Sequence, residues 1–366
     1  MAIFHVLIGD QAASLPMDSY EAEQLLYDLG LDMPDVEYEM ELVDSDYLLA
    51  LDSNFRELNH LAQRMNQMGD FDRETFGAWV DAQDTCSVKD ALRASFHLDM
   101  VELHPGFDND EMLGDHALDN GLCTEYADLS DDVYTMLDRA KVGAGMREQD
   151  GGVFVNGGYL VAASMDGLDN PQEEPLPWFQ VSFSDGWAKE GYWEELPYTS
   201  EEEYDIACFF ERKDLTDLKM ACRSSIPQLS GLTSESTELP DLRDMAEALS
   251  EMSSDDLMKY KALLEVMKPE SVCEALRLAD DIGQYEVALD YADPAVYGLQ
   301  HAMYRYGLDE DCQLLDFVDV AAYGAAMLQE DGYTQTRYGA VYTEDMACDE
   351  VMTEEQAQDF DGMSMQ

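Results

Sequence analysis

Positive charge is what this chain lacks. Its 366 residues carry 20 Lys and Arg against 80 Asp and Glu, a formal net charge of −60. Residues 1–55 hold no Lys or Arg and 13 acids, residues 94–138 none and 12 acids, and eight acids follow the last basic residue, Arg337. Direct nucleic-acid binding is excluded by this balance, because binding needs a cationic face that displaces phosphate counterions. No apolar run approaches the roughly 18 residues of a membrane-spanning helix. The opening Met1-Ala2-Ile3-Phe4-His5 lacks the basic start of a signal peptide, so neither span nor export is expected and the chain reads as cytoplasmic. Seven cysteines, odd in number and never in a Cys-x-x-Cys, read as reduced, mostly buried thiols.

Catalytic signatures are missing too. There is no Gly-x-Ser-x-Gly, no Gly-x-x-x-x-Gly-Lys and no Gly-x-Gly-x-x-Gly after a strand. The six histidines form no pair four apart, which argues against zinc. Asp108-Asn109-Asp110-Glu111 opens like a calcium loop, but Leu113 stands where that loop requires Gly. The expectation is a protein without cofactor, metal site or catalytic residues. An enzyme whose acidity reflects a saline setting is the less favoured alternative.

What is present is material for folded cores: 46 % apolar residues with 20 Tyr and 13 Phe, unlike an acidic disordered tail. There is also an internal repeat. Val88-Lys89-Asp90-Ala91-Leu92-Arg93 returns as Val272-Cys273-Glu274-Ala275-Leu276-Arg277, an offset of 184. In the same register Leu58 meets Leu242, Phe76 meets Tyr260 and Glu102 meets Glu286. Upstream, Phe4-His5-Val6 matches Phe179-Gln180-Val181; downstream, Leu137-Asp138 matches Leu315-Asp316 and Val142 matches Val320.

Each copy predicts an opening strand, an acidic helix (Ser19–Leu29; Ser200–Phe210) and further helices begun by caps such as Asn54, Ser87 and Ser271. Copy one adds a strand over Val36–Val43 and a helix over Asp72–Ala82. It closes on a strand and turn over Gly151–Tyr159, which copy two repeats less regularly over Gly332–Tyr342. The expected fold class is α+β: one module over 1–165, a linker over 166–177, a second module over 178–345 and an acidic tail over 346–366.

Acid spacing carries the functional signal. In a helix over 108–120, Asp108, Glu111, Asp115 and Asp119 fall on one stripe, with Leu113 and Ala117 opposite. Carboxylates four apart rise about 6 Å, while duplex DNA carries one charge per roughly 1.7 Å of axis. Whole lobes free of basic residues, in a duplicated module, point to imitation of DNA. A solvated acidic face or adaptation to high salt is the plainer alternative.

Three stretches carry a resemblance. Phe179-Gln180-Val181-Ser182, Gly191-Tyr192-Trp193-Glu194-Glu195-Leu196-Pro197 and Thr199-Ser200-Glu201-Glu202-Glu203 form the first. The second is Asn54-Phe55-Arg56-Glu57-Leu58-Asn59-His60-Leu61-Ala62, and the third runs from Leu137-Asp138 to Gly152-Val153-Phe154 and Gly158-Tyr159. In these the chain resembles the ArdA antirestriction proteins of mobile genetic elements. The family norm is one module that dimerises, whereas this chain carries two in tandem, and Arg139-Ala140-Lys141 stands where the family has Tyr-Glu.

The resemblance implies an elongated, acidic body of small α+β subdomains that mimics DNA in a bacterial host's cytoplasm. Its implied partner is the DNA-binding groove of a type I restriction–modification enzyme. A CRISPR effector, a repressor or another DNA-binding protein is the alternative target. The acids singled out for that surface are Asp44, Asp46, Asp108, Glu111, Asp115, Asp119, Asp131, Asp132, Asp255, Asp256, Asp280, Asp281, Asp309, Glu310 and Asp311. Joining two modules on one chain also predicts a monomeric pseudo-dimer.

Overall fold

Phe4, Val6 and Ile8 alternate with His5 and Leu7, and in the computed structural model they form β1 (Phe4–Ile8) with the three buried on one face. The structure describes residues 3–33, 38–45, 47, 49–51, 53–122, 134–165, 167–168, 175–186, 191, 193–196, 199–215, 218–232, 239–309, 312 and 315–343. They belong to a mixed α/β chain with small sheets. The chain divides into two compact units, residues Met1–Ala22 with Asp35–Pro175, and Glu23–Pro34 with Leu176–Gln366. The linker's residues 166 and 169–174, residues 344 and 345, and the whole tail over 346–366 fall outside the described residues.

In the first unit β1 lies between β2 (Gln11–Leu15) and β3 (Met40–Asp44), antiparallel to both. The strand expected over Val36–Val43 is thus β3, shifted later; residues 36 and 37 lie outside the described set. α1 spans Ser19–Leu29, the bounds expected from the sequence. A short parallel pair joins β4 (Leu49–Ala50) to β5 (Cys86–Ser87).

α2 (Phe55–Gln67) opens on a full capping box between Asn54 and Glu57 and buries Leu58, Leu61, Ala62 and Met65 at helical spacing. Burying each of the two leucines and the methionine contributes roughly 1.5–3 kcal/mol. α3 (Asp70–Asp81) buries Phe76, Trp79 and Val80, and α4 (Val88–Phe96) is capped by Ser87. A second sheet follows in the order β6 (Val101–Pro105), β8 (Gly158–Ala162), β7 (Val153–Val155).

Between those strands run α5 (Asp110–Asp119) and α6 (Arg139–Asp150), which cross so closely that neither tolerates a side chain at the contact. A Cβ on Gly114 would lie 1.9 Å from the Arg139 carbonyl oxygen, and one on Gly143 would lie 1.8 Å from that of Asp110.

The second unit repeats this order. β9 (Phe179–Ser184) sits between β10 (Glu194–Leu196) and β11 (Lys219–Ser224), and α7 (Ser200–Phe209) starts on a Thr199–Glu202 capping box. After the short α8 (Pro227–Ser230) come α9 (Leu239–Glu251), α10 (Ser254–Met267) and α11 (Val272–Asp280), the last capped by Ser271. The closing sheet has the order β12 (Val287–Ala288), β14 (Gly339–Tyr342), β13 (Tyr333–Thr336). It is as regular as the first unit's, contrary to the sequence reading, because polar Thr334 and Gln335 hid the strand's alternation. α12 (Pro294–Tyr306) and α13 (Val320–Glu330) cross at Gly298 and Gly324, where a Cβ would meet the Val320 oxygen at 2.3 Å and the Pro294 oxygen at 1.8 Å.

Strand register fixes which residues correspond. His104 faces Tyr159 as Ala288 faces Ala340, so residues 101–120 map 184 positions on and residues 139–162 map 181 positions on. Helix caps agree: Asp138 caps α6 and Asp319 caps α13. Val142 therefore corresponds to Tyr323, not to Val320 as read from sequence; the local Leu-Asp match was three residues out of step. The thiol expectation also needs correction. Of the five described cysteines only Cys86 is buried; Cys208 and Cys273 are exposed on helix faces, Cys222 and Cys312 half-buried, and none of the five forms a disulfide.

Residues 23–34, though early in the chain, belong to the second unit's core. Asp32 is buried there between Lys261 Nζ (3.6 Å) and Arg337 Nη1 (3.5 Å), and accepts a hydrogen bond from the Tyr338 hydroxyl at 2.5 Å. Arg337 also pairs with Glu265 at 2.7 Å and donates to the Tyr27 carbonyl at 2.6 Å. Burial, reinforced by the bond to Asp32, pushes the Tyr338 hydroxyl well above its ordinary range. A carboxylate taken out of water costs several kcal/mol unless it is paired, and two cations with a phenol supply that pairing.

Candidate acidic binding surface

The surface is clearest on α5. Asn109 caps the helix, its side chain accepting the Met112 N–H at 3.0 Å, so the helix begins at Asp110 and Asp108 stands outside it in the preceding loop. That corrects the four-member stripe. Leu113, Ala117 and Leu118 are buried with Gly114, which leaves Glu111, Asp115 and Asp119 exposed on the outer face. These three rise in steps of about 6 Å.

Their environments differ. Asp110, turned toward α6, receives Arg147 at 2.9 and 3.2 Å, and that hydrogen-bonded guanidinium holds its carboxyl below the usual carboxylate range. Asp115 lies 3.6 Å from Arg139 Nε. Asp119 sits in the last helical turn, where the helix dipole disfavours an anion. Its position costs stability and therefore needs a reason other than stability.

The second unit's singled-out acids serve two kinds of place. Asp255 and Asp256 occupy the first turn of α10, where the dipole favours them. Asp256 accepts from the Ser253 hydroxyl at 2.8 Å and from Lys259 at 3.1 Å, which together lower its carboxyl's pKa. These two explain a helix start before they explain a partner. Asp280 ends α11 and Asp281 caps it, both at the end that repels anions, with Asp281 accepting from Gln284. Asp309 is exposed just beyond α12. Asp44 ends β3, with its side chain outside the described set; Asp46, Asp131, Asp132, Glu310 and Asp311 lie outside the described residues altogether.

Structural correspondence shows that the α5 stripe is not duplicated. Glu111, Asp115 and Asp119 map to Ala295, Leu299 and Met303 on α12. The second unit carries instead a group that acid spacing could not reveal: Tyr291, Tyr297 and Tyr333 beside Glu286 and Asp331. Only a residue-by-residue reading of the two copies would have found it.

Among the described residues no group of His, Cys, Asp and Glu is placed to hold a metal ion, and no helix is long and apolar enough to cross a membrane. No protein-family model, curated protein or solved structure matches the chain.

Proposed function

We propose that this protein is a DNA mimic that occupies the DNA-binding groove of a type I restriction–modification enzyme of a bacterial host, with two tandem ArdA-like modules on one chain. The observation that carries the reading is the exposed row of Glu111, Asp115 and Asp119 on a chain of net charge −60. The two units' shared order of strands and helices supports the tandem reading. Affinity comes from the term that drives protein–DNA association: the target's Lys and Arg exchange counterions for carboxylates. No bond is made or broken, and no catalytic residue takes part.

The test is inhibition of such an enzyme with duplex DNA as competitor. Inhibition is expected to be competitive with duplex and to weaken steeply between about 50 and 200 mM salt. The triple variant Glu111→Gln, Asp115→Asn, Asp119→Asn should weaken it and flatten that salt dependence. Inhibition that ignores duplex concentration, or that is unchanged by salt, overturns the proposal.

A further inference from the structure

At one place the two units kept their carboxylates and exchanged everything around them. Glu102 and Asp150 of the first unit correspond to Glu286 and Asp331 of the second. Around the first pair stand three basic side chains: His104, 3.6 Å from Glu102; His116, packed on Phe107; and Arg147, over the Phe154 ring. Their counterparts in the second unit are Ala288, Gln300 and Leu328. In the same neighbourhood Phe107, Leu113 and Gly152 have become Tyr291, Tyr297 and Tyr333. The first unit brings Arg147 and two histidines to this place; the second has none of those three, packs His301 on Tyr297 and presents three phenols.

The geometry suits a cation brought from outside. The ring centroids of Tyr291, Tyr297 and Tyr333 form a triangle with sides of 4.7, 6.5 and 6.5 Å. A cation seated over it lies within the roughly 6 Å reach of all three rings. All three are half-buried, and Glu286 and Asp331 are exposed at the rim. The Tyr297 hydroxyl donates to Asp331, and the Tyr333 hydroxyl to Glu286. The bond to Glu286, with burial, pushes the Tyr333 phenol up to about 12, so the ring stays neutral.

Each carboxylate accepts one phenol proton and keeps further acceptor positions. Among the described residues no Lys or Arg pairs with either carboxylate or lies over these three rings. Elsewhere the chain covers its aromatic faces with its own cations, as Arg223 does over Trp193 and Arg337 over Tyr27.

We infer that Tyr291, Tyr297 and Tyr333, with Glu286 and Asp331, form a receptor for an arginine side chain of the protein partner. The inference rests on the proposed DNA mimicry and names the point where one residue of the cationic groove is gripped. A guanidinium fits better than an ammonium because its plane stacks on rings while its edges meet two carboxylates. The site gives the second unit a directional contact that an array of exposed acids does not.

The probes are two short peptides, hexa-arginine and hexa-lysine, titrated calorimetrically into the full chain at about 150 mM salt. Wild type should bind the arginine peptide several-fold more tightly. Tyr297→Leu with Tyr333→Leu should remove about tenfold of that affinity and most of the preference, and Tyr297→Phe with Tyr333→Phe should keep both within about twofold. Glu286→Gln with Asp331→Asn tests the rim without disturbing ring packing, and should likewise abolish the preference. Circular dichroism confirms that each variant folds.

The outcome separates the two proposals. Equal binding of both peptides by wild type, or a folded Leu or Gln/Asn variant that keeps the preference, overturns the receptor. If the preference is lost on substitution but the protein never competes with duplex, the receptor stands and DNA mimicry falls.

Discussion

The helix pairs α5–α6 and α12–α13 share a skeleton and almost nothing else. Both cross at a glycine pair with backbone against backbone, and both are capped by an aspartate at the corresponding position. On the first pair sit six acids and three Lys or Arg; on the second, one Arg and one Glu. In their place the second pair and its connection show Tyr304 at 94 % and Phe317 at 86 % exposure. The two pairs share the contacts where a single atom would collide and differ on their solvent faces. An acidic total is therefore no guide to where the acids lie, and the copies are not equivalent surfaces.

Four substitutions test how far the two units differ. The largest effect is expected at Asp32, which serves the second unit alone. Asp32→Ala leaves Lys261 and Arg337 facing each other without their shared anion and should cost about 3 kcal/mol, the low end for a broken buried pair because Arg337 is one-third exposed. Amide exchange should show the loss in the second unit's residues and spare β1–β3. A loss under about 1 kcal/mol, or one spread evenly over both units, would contradict the assignment of residues 23–34.

Next come Gly114→Ala and Gly298→Ala, each expected to cost about 2 kcal/mol in denaturant unfolding. The clash with the facing backbone outweighs the ~1 kcal/mol that alanine adds to helix propensity. Similar losses support equivalent crossings, whereas tolerance at either position dissolves the correspondence.

The smallest effect concerns the divergent faces. Arg147→Leu installs in the first unit the residue that the second already has at Leu328. Asp110 titrates low in the folded protein, so the stability it contributes is present above the ordinary carboxyl range and is lost as pH falls through its lowered value. In the variant, NMR titration should find that carboxyl moved up toward about 3.9, and that acid-side loss should disappear. An unmoved carboxyl would mean that something other than Arg147 holds it down.

Much of the fold was legible where its causes are local. Asn54, Ser87 and Ser271 announce their helices because a cap acts on amides two or three residues away. Leu58, Leu61 and Phe76 announce their burial through helical period. The helix begins two residues later than expected and leaves Asp108 outside it, because Asn109 makes the cap bond. The burial of Asp32 could not be read at all: its partners lie more than 200 residues away, and nothing near it marks it among the other acids. The tyrosine receptor was hidden for a different reason, since tyrosines at 291, 297 and 333 share no spacing until a 3-10 turn, a helix and a strand bring them together.

The pairing of Asp32 with Arg337 also sets a clock on biosynthesis. The aspartate leaves the ribosome early, and its arginine follows about 300 residues later, which at 5–20 residues per second is roughly 15–60 s. For the later part of that interval every residue of the first unit has been made, while the 23–34 segment still lacks Arg337. A nascent chain halted before Arg337 would leave Asp32 and the Tyr27 ring, which that arginine covers, exposed to solvent and to chaperones. Placing synonymous slow codons between the units should prolong that exposure, while slow codons after Arg337 has emerged should not.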